Sequence, residues 1–97
     1  MITSKQRATL RSQSNGLETI FQIGKGGRSD ALVRNISEAL EARELIKARV
    51  LETAPENVRD LAHSIAAEIH ADVVQVIGSK FVLYRPSEEN PKIVLVK

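Results

Sequence analysis

The apolar spacing of this chain alternates between the period of a strand and the period of a helix, and that alternation dictates a sheet with helical crossovers. From about Ser29 to Arg43 the positions Leu32, Val33, Ile36, Ala39 and Leu40 trace one helix face. A β-type run precedes them, Leu17–Ile23, and another follows, Leu45–Leu51. Val58, Leu61, Ala62, Ile65, Ala66 and Ile69 then keep the i, i+3, i+4 spacing of a second amphipathic helix without a miss. Beyond it lie Val73–Ile77 and Lys80–Tyr84, separated only by Gly78-Ser79. A Gly-Ser connection predicts a tight antiparallel hairpin, whereas a helix between two strands makes them parallel. The expected fold is therefore α/β: a small mixed sheet packed by helices, in the order α-β-α-β-α-β-β.

The ends carry weaker signals. Thr3-Ser4-Lys5-Gln6 fits a capping box and predicts a short polar helix to about Ser14, stopped by Asn15-Gly16. Its apolar content, mainly Ala8 and Leu10, predicts light packing, with Arg7 and Arg11 one turn apart and facing the same way. Thr53-Ala54-Pro55-Glu56 reads as a second capping box, with proline in the first turn. Pro86 and Pro91 bracket a polar turn, after which Ile93–Val96 either adds an edge strand or lies along the sheet. Glu38, Glu41 and Glu44, set among Arg34, Arg43 and Lys47, read as a solvated helix face with ion pairs worth roughly a few tenths of a kcal/mol each.

The 97 residues, 42% hydrophobic, fit a single domain spanning 1–97 with one core. Cysteine is absent, which excludes disulfides and thiol chemistry. The N-terminus lacks the apolar stretch of a signal peptide, and no run has the length of a membrane span. A cytoplasmic protein without membrane contact is expected. Net charge is only +2, but residues 1–50 hold nine Lys/Arg against five Asp/Glu, and residues 51–97 hold five against seven. One basic end suggests a polyanionic partner, although a solvated surface explains the same charges.

Gly24-Lys25-Gly26-Gly27 falls between the first strand and the helix that starts near Ser29, and Arg28 follows at once. Glycines let a ligand approach the backbone, and the two cations and a helix N-terminus suit a phosphate. A dinucleotide fingerprint would need Gly or Ala where Ser29 stands. A phosphate-binding Walker loop would need Gly-Lys-Ser/Thr at its end, and Lys25 lies inside the glycines instead. What remains is GxxG, which clamps single-stranded backbone in KH domains. On these residues alone, a clamp and a tight turn that needs glycine for its dihedrals both stay open. Asp30 in the first helical turn would offset part of the field offered to a phosphate.

Other chemistry is thinly supported. His63 and His70 point the same way but sit ~10.5 Å apart along a helix, too far to share a metal without a third element. The serines have no base or nucleophile-elbow context. No enzyme, cofactor or small-molecule substrate is expected. Phe21 and Phe81 fall in apolar strand runs and read as core, so recognition should run through RNA backbone with little base stacking. Tyr84 and Arg85 read as core edge and solvated cation.

Thr3-Ser4-Lys5-Gln6-Arg7, Phe21-Gln22-Ile23-Gly24-Lys25-Gly26-Gly27, Glu44-Leu45-Ile46-Lys47, Val74-Gln75-Val76-Ile77-Gly78 and Leu83-Tyr84-Arg85-Pro86, in this order, resemble the CRM domain family. More narrowly, nearly the whole chain is similar to its stand-alone bacterial YhbY-type RNA-binding members. The resemblance implies a fold like the C-terminal domain of translation initiation factor 3. It also implies RNA binding and, for bacterial members, association with precursors of the large ribosomal subunit. Plant relatives carry the domain in intron-splicing factors. Carried over, the loop function falls on Gly24, Lys25, Gly26 and Gly27, extended by Arg28 and by Lys5, Arg7 and Arg11 of the first helix. Arg28 departs from the family, which often has an apolar residue there. The expectation is a monomer that clamps ribosomal RNA or a pre-ribosomal particle. A module docking on a ribosomal protein and a small DNA-binding domain are the alternatives.

Overall fold

A computed structural model describes residues 2–95. Its elements are α1 (Ser4–Ser14), β1 (Thr19–Ile23), α2 (Asp30–Arg43), β2 (Leu45–Val50), α3 (Val58–Ile69), β3 (Asp72–Ile77) and β4 (Lys80–Tyr84). The strands form one sheet in the order β1-β2-β4-β3. β1 runs parallel to β2 across the α2 crossover, while β4 lies antiparallel to both β2 and β3. The expected mixed α/β sheet is present, with the hairpin's second strand folded back into its middle.

Helix ends follow local chemistry. Thr3 and Gln6 exchange the reciprocal capping-box bonds, with Gln6 N donating to Thr3 Oγ1 at 3.1 Å and Thr3 N to Gln6 Oε1 at 2.9 Å. Ser29 caps α2 by accepting from Leu32 N at 3.1 Å. The second capping box is displaced: Thr53–Glu56 lie in the connecting segment, and Asn57 caps α3 by accepting from Asp60 N at 2.8 Å. Asparagine at that position is as good a cap as threonine, and it sits immediately before the apolar face begins.

Each sheet face has its own core. Ile23, Ile46, Ala48, Val50, Phe81 and Leu83 point toward α2 and α3, against Ile36, Leu40, Leu61 and Ile65. Leu45, Val74, Val82 and Tyr84 point the other way, toward Ile2 and Leu10 of the N-terminal segment. α1 packs through few residues, as its thin apolar content suggests: Leu10 and Ser14 are its buried members, and Leu10 enters the core among the sheet side chains. The segment Ile93–Leu95 forms no strand, and Ile93 and Leu95 pack on this second core. Val96 lies outside the described residues. No helix among the described residues is long and apolar enough to cross a membrane.

The expectation for Glu41 and Glu44 also fails. Glu44, at the end of α2 with φ of 67°, is buried, and its carboxylate accepts from the amides of Ser87 at 2.9 Å, Lys92 at 2.7 Å and Ile93 at 2.7 Å. Glu41 accepts from Ser87 Oγ at 2.6 Å and from the amides of Glu88 and Glu89. These two carboxylates bind the tail to α2. Arg85 is no solvated cation either: its guanidinium donates to Ser37 Oγ, Ser37 O and Ile69 O, joining the middle of α2 to the C-terminal end of α3. Tyr84 is buried, and burial, with Glu44 and Asp72 nearby, raises its phenol above the ordinary value.

Burial works against the charge on Glu44, but the amides of Ser87, Ile93 and Lys92 outweigh it and lower its carboxyl below the ordinary 4.5. The Ser87 hydroxyl, followed by the Glu88 and Glu89 amides, lowers Glu41 likewise. A carboxyl depressed in the folded chain stabilises it above the ordinary value and loses that contribution as pH falls through the native value. The amide resonances of Ser87, Lys92 and Ile93 should therefore shift together below pH 4.5 as the tail detaches, while those of β2 and β4 stay in place. Glu44→Ala should release the tail at neutral pH and lower stability by about 1–2 kcal/mol in urea denaturation.

Candidate nucleic-acid interface

The glycine loop closes as a turn in which Gly27 N donates to Gly24 O at 2.9 Å. Gly27 has φ of +59°, and a Cβ there would lie 2.7 Å from Glu56 Oε1 and 2.9 Å from Pro55 Cγ. Gly27 is thus required by the fold. Gly26 is different. It is exposed, its φ is not positive, and a Cβ added there would meet nothing within 4 Å. Gly24 is intermediate, since its Cβ would rest 3.4 Å from Thr53 Oγ1. The turn reading explains Gly27 and leaves Gly26 without a structural reason.

The loop amides divide in the same way. Those of Gly27 and Arg28 are engaged, by Gly24 O and, at 3.5 Å, by Glu56 Oε2. Among the described residues the amides of Lys25 and Gly26 have no protein acceptor. Lys25 is exposed. Arg28 turns away from the loop tip and forms an ion pair with Glu68 of α3, so a ligand gains its charge only by displacing that carboxylate. Arg28 Nε and Glu56 Oε1 are buried without partners. Asp30 stands exposed in the first turn of α2, where Ser29 is the cap. The ligand-facing part of the loop is therefore Lys25 and Gly26, with anions behind it.

The first-helix cations occupy another region. α1 lies over Leu45, Val74, Val82 and Tyr84, toward the end of the sheet where β1 begins. The loop leaves the opposite end of β1. Lys5 and Arg11 are exposed, while Arg7 is half-buried and its Nε donates to Val73 O at 3.3 Å, tying α1 to the edge of β3. The loop and α1 are not one cluster.

Between them the sheet presents cations that residue-level reading did not single out. Gln22, Arg49, Lys80 and Ile77 are register partners across all four strands and point to the α1 side. All four are exposed. Lys47 follows one step nearer α1, opposite Val82. Alternation along Leu45–Val50 gave a signal for Lys47 and Arg49, because the core takes Ile46, Ala48 and Val50. Their proximity to Lys80 depends on β4 pairing with β2, which no local pattern states.

The CRS1/YhbY (CRM) domain model matches residues 2–85. The chain is 46% identical over 95 residues to the Bacillus subtilis protein named "Probable RNA-binding protein YqeI", covering 98% of this chain and 99% of that one. It is 34% identical over 88 residues to a Haemophilus influenzae protein named "RNA-binding protein", covering 91% and 89%. The solution structure of SAV1595 from Staphylococcus aureus superposes with a TM-score of 0.82 at 43% identity, over 99% of this chain and 100% of that one.

The two glycines should separate in thermal denaturation. Gly27→Ala should cost about 2 kcal/mol, from its left-handed backbone and the clash with Pro55 and Glu56. Gly26→Ala should change stability by less than about 0.5 kcal/mol. Any loss of ligand binding in the second variant then reports approach to the backbone and not unfolding.

Proposed function

Since the chain belongs to the CRS1/YhbY (CRM) domain family, we propose that it is an RNA-binding accessory factor that engages ribosomal RNA in precursors of the large ribosomal subunit. The observation that carries the reading is the exposed Lys25-Gly26 tip, where glycine serves no internal packing and two amides stand without protein acceptors. Such a tip admits a phosphate to hydrogen-bond distance of the backbone, and the Lys25 ammonium supplies the counter-charge. The exposed cations of α1, Lys5 and Arg11, extend contact to a longer stretch of RNA. Glu56, Glu68 and Asp30 weaken the field behind the tip, which favours many modest contacts over one tight phosphate site.

The factor works by clamping backbone, as a cytoplasmic monomer with no chemistry of its own. The names borne by the Bacillus and Haemophilus relatives support RNA as the partner. The assignment to the large subunit rests on the resemblance to bacterial YhbY-type members.

Engagement of ~3–5 phosphates on single-stranded RNA predicts a slope of log K against log salt of about −2 to −3.5. A nearly flat slope would exclude the electrostatic clamp. Lys25→Ala should weaken binding to all sequences alike, and Gly26→Asp should weaken it further. Pull-down of precursor particles should be abolished by ribonuclease. Retention after that treatment would indicate docking on a ribosomal protein, and equal affinity for duplex DNA would indicate a DNA-binding domain.

A further inference from the structure

Arg49 and Lys80 stand directly opposite one another on neighbouring antiparallel strands, both exposed and both on the face that α1 leaves open. Directly opposed like charges destabilise a strand pair. Among the described residues the sole ion pair is Arg28 with Glu68, so neither cation has a carboxylate partner. Lys47 adds a third cation one step along β2. The row begins at Gln22, two residues before the glycine loop, and ends at Ile77, which is 58% exposed. Buried core lies beneath it at Phe81 and Ala48, so these side chains project from a rigid platform.

From this juxtaposition we infer that the open half of the sheet is a second RNA-contact surface, on which Arg49 and Lys80 hold consecutive phosphates of a strand leaving the loop tip at Lys25. The inference rests on the RNA-binding reading and extends it to a defined track. Side chains opposite one another on paired strands have Cβ atoms ~4.5–5.5 Å apart. Two long cationic side chains with that spacing at their roots can splay to neighbouring phosphates. Gln22 and Gln75 flank them with neutral donors, and Ile77 offers an apolar rest for a ribose or base. The track continues past Lys47 toward α1, which joins the two cationic regions that the fold keeps apart. An anionic strand also removes the repulsion between Arg49 and Lys80, so the platform is set for a polyanion before it arrives.

The test is binding of a fluorescein-labelled single-stranded RNA oligonucleotide of mixed sequence, titrated across a range of salt. At ~0.1 M salt a slope of about −0.7 per phosphate corresponds to roughly fivefold in affinity for each contact. The Arg49→Gln/Lys80→Gln double variant should therefore bind about 25-fold more weakly, with a salt slope shallower by about 1.4. Arg59→Gln, at an exposed position of α3 on the other face, should bind as the parent does. Wild-type affinity in the double variant, with weakened binding in Lys25→Ala, would overturn the sheet track and leave the loop reading in place. An equal loss in Arg59→Gln would overturn it as a general charge effect. Absence of RNA binding by the parent chain would remove both readings. Because both changes are at exposed positions and remove a like-charge pair, a melting temperature no lower than the parent's is expected, which separates contact loss from unfolding.

Discussion

Insertion of β4 between β2 and β3 obliges one short strand to be apolar on both faces, and Phe81, Val82, Leu83 and Tyr84 meet that demand. Phe81 and Leu83 enter the core beneath α2 and α3, while Val82 and Tyr84 enter the core under α1. A one-residue slip against β2 would exchange the two sets. The different shapes of the two cores, one formed by two helices and one by a single helix with the tail, make that exchange costly. This pairing also brings Lys80 opposite Arg49, so the same register that satisfies the cores arranges the charged surface.

The sheet's composition was legible because its signals are local. Period, the Gly-Ser hairpin, the Thr3 cap and the start of a helix near Ser29 each depend on a few residues, and the structure has them where the sequence suggests. Local reading failed where a distant segment supplies the partner. Glu44 has the sequence context of a solvated helix face, yet three amides from residues 87, 92 and 93 surround its carboxylate. Arg85 follows a strand end and reads as free, but the middle of α2 and the last residue of α3 supply its acceptors. The α1 cations share a sequence neighbourhood with the loop, but the sheet separates them. Polar residues are hard to place in this way because the same side chain suits water and a buried network alike.

The glycine loop illustrates how one motif serves two masters. Its second half is built inward: Gly27 accepts the wall of Pro55 and Glu56, and Arg28 is engaged by two glutamates from other elements. Its first half is built outward, with Lys25 and Gly26 in solvent. The inward half fixes the position from which the outward half is presented, and the carboxylates that do so lower the local potential. The chain's small net charge of +2 makes the placement of individual cations matter more than their sum.

The contact between Gly27 and the segment ahead of α3 also sets a rule for sequence change. Position 27 has room for a side chain only if positions 55 and 56 recede, and its φ of +59° strains a side chain even then, so a change there is coupled to the two residues across the gap and still carries a backbone cost. A descendant chain that loses the glycine would need a smaller residue than proline or glutamate across the gap, in a loop some thirty residues away in sequence. Correlated exchange at these sites would therefore record packing, and mistaking it for shared contact with a ligand would place the binding surface on the wrong side of the loop.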